Sequence, residues 1–209
     1  MEAAILLYAS QVNPTQLILE ALRQEAIDLA YIIQQDTTKR LDLTADELAA
    51  FEQLTPQVKT SRYATLEQLL QTQQWRKADQ ETYRLMITTV GKEDGQWLNV
   101  NDFKIFPCKD LQMLDHLWVK YSDGKWGFSV QKQIWEECGS PTDHDGFVDK
   151  FCDLIGWVRN GNVQSPQYNL ENSPVGELPS LWGDSGFEWV LLNISSLTQR
   201  LVDCSTRQS

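Results

Sequence analysis

The sequence predicts an all-α protein: a mostly helical domain with two long loops, preceded by a small helical appendage. Three features of the chain carry that expectation. Apolar residues recur at helical spacing along most of its length, two Thr-x-x-Glu/Gln signatures mark helix starts, and alternating strand patterns are few. With 209 residues, 42% of them hydrophobic, the chain is long enough for one full core plus an appendage.

In chain order, Asn13 is placed to cap a helix opening at Pro14, where the missing N–H of proline costs nothing. Leu17, Ala21, Ile27 and Leu29 would supply part of its apolar side. Thr44-Ala45-Asp46-Glu47 reads as a capping box for a short helix through Phe51 and Leu54, ended by Pro56. Residues 55–61 are the expected junction, giving an appendage over 1–60 and a main domain over 61–209. A second capping box, Thr65-Leu66-Glu67-Gln68, opens a helix with Leu66, Leu69 and Leu70 inside. A longer helix over 75–90 carries Ala78, Thr82, Leu85, Met86 and Thr89, with Gly91 as its stop.

Residues 92–107 read as a polar and aromatic loop, and 109–121 as a helix with Leu111, Leu114, Leu117 and Trp118 on its apolar side. Ser122-Asp123-Gly124-Lys125 is a tight turn. Helical pattern resumes over 129–139, and again after a cap at Asp145, through Phe147, Phe151, Leu154 and Ile155 to Gly156. Residues 157–186 read as irregular and 187–204 as a final amphipathic helix.

The formal net charge of −11 leaves no cationic cluster to neutralise phosphates, which excludes a nucleic-acid binder and disfavours an anionic membrane surface. No stretch reaches the ~20 apolar residues of a membrane span, and Met1–Leu7 lacks a basic signal-peptide region, so the chain reads as soluble. The four cysteines, Cys108, Cys138, Cys152 and Cys204, lie far apart. They read as buried free thiols in a reducing compartment, with two disulfides as the alternative.

Catalytic signals are missing. His116 and His144 are the two histidines, and no metal-ligand spacing accompanies them beyond a weak Asp143-His144-Asp145 run. Phosphate-loop, dinucleotide-binding and nucleophile-elbow glycine patterns are absent. No enzyme is therefore expected, and no intrinsic metal. The aromatic supply is the unusual feature: eight tryptophans, with Trp97, Trp157, Trp182, Phe103, Phe106 and Tyr168 in the loops. Such residues either pin loops to helices or line a cleft for a flat apolar ligand.

Five fragments, in order, are similar to one known family. They are Trp75-Arg76-Lys77-Ala78-Asp79-Gln80-Glu81-Thr82, Phe106-Pro107-Cys108-Lys109-Asp110-Leu111, the block from Leu117-Trp118 through Gly127-Phe128-Ser129-Val130-Gln131, Ile155-Gly156-Trp157, and Gly176-Glu177-Leu178-Pro179. Over about residues 62–204 the chain resembles the genomes-uncoupled-four family of tetrapyrrole-binding regulators of magnesium chelatase. The resemblance implies a compact "cupped hand" holding a porphyrin between loops, here 90–107 and 157–179. It implies protoporphyrin IX or Mg-protoporphyrin IX, with bilins as a further ligand class, and the large porphyrin-binding subunit of magnesium chelatase as partner. It also implies a role in chlorophyll biosynthesis, in cyanobacterial cytoplasm or plastid stroma, with peripheral thylakoid association.

Candidate ligand contacts are Trp97, Phe103, Phe106, Trp157, Arg159, Val163, Tyr168 and Leu178. Burying one macrocycle face is favourable by ~25 cal/mol per Å², and Lys92, Lys104 and Arg159 are the cations available to propionates. A magnesium that keeps water as its fifth ligand needs no histidine. Gly124, Gly127 and Phe128 are expected to set a turn and fill the core, and Asp79 and Glu81 to serve in a network rather than in acid–base chemistry. Val175 and Glu177 stand where the family has a cation and a histidine, and Val163 where an aromatic is common. Those departures leave a diverged bilin or tetrapyrrole sensor, or a protein-interaction module, as the alternative.

Overall fold

The computed structural model describes residues 61–93, 96–140, 147–181 and 187–206, together with residues 23, 24, 27, 28, 31, 46 and 49. The expected caps at Asn13, Thr44 and Asp145, the stop at Pro56, Trp182 and the Asp143-His144-Asp145 run lie outside the described residues. The chain forms two compact units, Met1–Thr65 and Leu66–Ser209.

In the first unit, Ile27, Tyr31 and Tyr63 are buried, and the Tyr31 and Tyr63 rings stack with centroids 5.8 Å apart. Asp28, on the same helical stretch, accepts from Ser61 Oγ at 2.8 Å and from the Arg62 N–H at 3.1 Å. A part-buried carboxylate is tolerated when donors meet its oxygens in this way.

The second unit is mostly helical. Helix α1 spans Ala64–Gln71 and buries Leu66 and Leu70. It begins one residue before Thr65, so the expected capping box lies inside it. Helix α2 spans Trp75–Thr89 and buries Trp75, Ala78, Asp79, Thr82, Tyr83, Leu85, Met86 and Ile87. Gly91 follows in the left-handed conformation, and the Lys92 N–H reaches back to the Ile87 carbonyl at 3.1 Å, closing the C-terminus.

The stretch expected to be loop over 92–107 holds a helix, α3 (Val100–Ile105), opened by a capping box. The Asn99 side chain accepts from the Asn101 and Asp102 N–H groups, and the Asp102 carboxylate accepts from the Asn99 N–H at 2.6 Å. Helix α4 (Cys108–Tyr121) buries Asp110, Leu111, Met113, Leu114, Leu117 and Trp118. The Ser122 turn leads to α5 (Phe128–Glu137), which buries Phe128, Gln131 and Trp135. A π-helical segment, Phe147–Cys152, follows.

The segment expected to be irregular over 157–186 contains a small antiparallel hairpin. Strands β1 (Val158–Arg159) and β2 (Asn162–Val163) pair Val158 with Val163 and Arg159 with Asn162. Asn160 and Gly161 both take positive φ, the two-residue turn that matches strand twist. Helix α6 (Phe187–Thr206) packs on α3, α5 and α4. The core centres on Trp75, Trp118 and Trp126, with Trp75 edge-on to Trp126 at 5.1 Å and 6.3 Å from Trp118. Both buried indole N–H groups of α4 and its turn are satisfied, that of Trp118 by Thr82 Oγ1 and that of Trp126 by the Pro174 carbonyl. No helix among the described residues is long and apolar enough to cross a membrane.

One cysteine expectation is overturned. Cys108 and Cys204 form a disulfide with Cα atoms 5.4 Å apart, while Cys138 and Cys152 are free thiols. The pairing needs the last helix to lie across the start of α4, a contact between segments 96 residues apart that spacing does not encode.

Candidate functional site

The first aromatic stretch is built around α3. Lys92 donates to the Trp97 carbonyl at 2.6 Å and pairs with Asp102, the carboxylate that caps the helix. Expected as a propionate partner, Lys92 is instead an internal strut between the end of α2 and the start of α3. Leu98, Phe103 and Phe106 are fully buried, and Arg200 of α6 donates Nε to the Phe106 carbonyl at 2.8 Å. The outer side is apolar: Trp97 is 55% exposed, Ile105 70% and Val100 38%, with Lys104 exposed beside them.

The second stretch, residues 157–181, is tied down from within. Trp157 is fully buried, meets Phe151 edge-on, and donates its indole N–H to the Glu177 carbonyl at 2.8 Å. The Glu177 side chain is also fully buried and accepts from the N–H groups of Gln167 at 2.9 Å and Tyr168 at 3.3 Å. Its carboxyl oxygens therefore face the loop's own backbone. Gln131 of α5 donates Nε2 to the Gly176 and Pro179 carbonyls, and Lys125 donates to the Leu170 carbonyl at 2.6 Å. Gly176 is obligatory here: φ is +78°, and a Cβ would stand 2.7 Å from Ile134 Cδ1.

Asp79 joins this loop to α2. Its carboxylate accepts from the Ser180 N–H at 2.8 Å, from Ser180 Oγ and from Tyr168 OH at 3.2 Å. Burial pushes the Asp79 carboxyl above its usual range, and these hydrogen bonds pull it part of the way back. Burial and the Asp79 carboxylate together raise the Tyr168 phenol. Tyr168 is held in the left-handed region at φ 55°, and Arg76 lies over its ring at 4.9 Å. A non-glycine residue in that conformation persists because its N–H, its hydroxyl and its ring face are all engaged.

The eight sequence candidates thus fall into two groups. Phe103, Phe106, Trp157 and Leu178 lie in the core and support the stretches from behind. Trp97, Arg159 and Val163 are exposed, and Tyr168 is half-buried on the Asp79 network. Sequence reasoning missed Val100 and Ile105, exposed on α3, and the roles of Ser180 and Glu177; Val175, singled out only as a departure from the family, is exposed as well. Two signals were available for the surrounding frame: the Asn99-x-x-Asp102 spacing and the Asn160-Gly161 pair. Among the described residues no group of three His, Cys, Asp or Glu side chains is placed to hold a metal ion.

Comparisons with known proteins bear on the family of the chain. A family model described as GUN4-like matches residues 56–193. The Arabidopsis thaliana protein named "Tetrapyrrole-binding protein, chloroplastic" is 31% identical over 131 residues, covering 56% of this chain and 47% of that protein. The "Uncharacterized protein ycf53" of Pyropia yezoensis is 38% identical over 122 residues, covering 56% and 49%. The chain spans about half the length of these curated relatives. The solved structure of GUN4 from Chlamydomonas reinhardtii is similar with a TM-score of 0.52 and 29% identity, covering 68% of this chain and 86% of that one. The family match takes in α1 to α5, the hairpin and the loop that Asp79 and Gln131 hold, and on that basis the chain belongs to the GUN4-like family.

Proposed function

We propose that this protein binds a tetrapyrrole, without catalysing a reaction, on the outer apolar faces of its two aromatic stretches. One observation carries the reading. Of the six large apolar side chains left exposed among the described residues, Trp97, Val100, Ile105, Val163 and Val175 all fall in these two stretches, and Leu154 lies just before the second. Scattered exposed apolar residues need no explanation, whereas concentration in two rigidly supported segments marks a binding surface. A flat macrocycle supplies the apolar area such a surface lacks. Lys104 and Arg159, both exposed, are the cations placed to meet its propionates. The name of the Arabidopsis relative supports this ligand class.

Within that class, protoporphyrin IX and its magnesium complex are the proposed cargo, and the large subunit of magnesium chelatase the proposed partner, in a plastid or cyanobacterial setting. The magnesium would arrive already held by the macrocycle. The inward-turned Glu177, engaged by the Gln167 and Tyr168 N–H groups, supports a retained porphyrin ligand.

Titration with deuteroporphyrin IX tests the reading through the Soret band and tryptophan fluorescence. Trp97→Ala is expected to raise the Kd about tenfold, the loss of one large aromatic contact, while leaving the unfolding midpoint in place. Trp157→Ala is expected to act mainly on stability. A chain that leaves the Soret band unmoved at micromolar concentration would sink the ligand assignment. A chain that binds porphyrin yet fails to stimulate magnesium chelatase subunits would remove only the partner.

A further inference from the structure

We propose that the Cys108–Cys204 disulfide is a thiol-exchange site for an external dithiol reductant, and that its state sets how firmly α3 and the first aromatic stretch are held. The placement of the bond is the basis. Cys108 is the first residue of α4, directly after Phe106-Pro107, where α3 ends. Cys204 lies in the last turns of α6, the helix that packs along α3. One turn earlier Arg200 bonds the Phe106 carbonyl at 2.8 Å, and Leu197, Thr198 and Leu201 are buried nearby on the same helix. Helix α3 has six residues, too few to be stable alone, so its position depends on what backs it. The disulfide is the covalent part of that backing, and it sits in the last turn of α6, where a helix otherwise frays.

The bond is also placed for exchange. Cys108 is half-buried and Cys204 buried, so of the two it is Cys108 that an incoming thiolate would approach. The two remaining cysteines do not compete. Burial raises the thiols of both Cys152 and Cys138, which keeps them protonated and poor attackers at neutral pH. In the exchange, a thiolate of the dithiol attacks Cys108 Sγ, the Sγ–Sγ bond breaks, and Cys204 leaves as a thiolate that takes a proton. The second thiol of the reductant then attacks the mixed disulfide and releases Cys108. Two electrons and two protons pass from the dithiol to the cysteine pair, and the reductant ends as its own disulfide.

The consequence for ligand binding rests on the tetrapyrrole reading; the consequence for α3 does not. The test uses the full chain, oxidised, reduced with dithiothreitol, and as Cys204→Ser, and follows amide hydrogen exchange together with deuteroporphyrin IX titration. Reduction and Cys204→Ser are both expected to speed exchange over residues 97–106 and 195–204 at least tenfold, with α2 and α5 still protected. Both should weaken porphyrin binding several-fold; re-oxidation should restore the wild type, and dithiothreitol should not affect Cys204→Ser. Identical exchange in the oxidised and reduced chains overturns the proposal. So does a loss of protection in α2 and α5 as large as that over residues 97–106, since the bond would then act on the whole unit and not on α3 in particular. So does a chain that keeps four free thiols under oxidising conditions. Faster local exchange without porphyrin binding in any state leaves the exchange site standing and removes the ligand.

Discussion

At the scale of single residues, burial divides side chains of the same type between different tasks. Trp97 and Trp157 are both tryptophans in the aromatic stretches, but one is 55% exposed and the other fully buried with its indole N–H bonded. Truncating Trp157 leaves a cavity and an unsatisfied Glu177 carbonyl, a loss of about 3–5 kcal/mol in chemical denaturation. Asp79 gives a pH-dependent counterpart. Its carboxyl is raised from the ordinary carboxylate value of 3.8 by burial, so the folded state holds its proton more tightly than the unfolded chain does. The contribution of Asp79 to stability is therefore fullest below 3.8 and is lost as pH rises through the folded value. Comparing the wild type with Asp79→Asn across that window is expected to show a downward slope in the wild type that is shallower in the variant. Equal slopes would contradict the assignment.

At the scale of elements, short segments are made rigid by polar caps. The six residues of α3 rely on the Asn99–Asp102 box, with Lys92 pairing to the same carboxylate. Asn99→Ala is expected to cost about 1 kcal/mol in urea denaturation. It should also speed exchange over residues 100–105, because the strut from Lys92 then braces a frayed helix end. The box was legible in the sequence as Asn-x-x-Asp but lay inside a run read as loop, because six residues give too little periodicity to register as a helix. The hairpin turn at Asn160-Gly161 was hidden in the same way, its strands being two residues each.

At the scale of the whole molecule, contacts distant in sequence hold the second unit together. Asp79 meets Ser180 across 101 positions and Cys108 meets Cys204 across 96. Closing so long a loop covalently restricts the unfolded chain, and reduction is expected to lower the unfolding free energy by about 2–4 kcal/mol. Paired denaturation curves with and without dithiothreitol measure it, and coincident curves would count against a structural role for the bond.

The sequence by itself determined the helical class, the order of the long helices, the turn at Ser122–Lys125 and the two aromatic-rich stretches. Each of these follows from periodicity, capping and turn chemistry between residues a few positions apart. Only the tertiary structure decided which aromatics of those stretches face outward, that Glu177 turns inward to its own loop, that Lys92 braces α3, and that Cys108 joins Cys204. Burial and pairing depend on what another part of the chain lays across a residue, and local spacing carries no record of that partner.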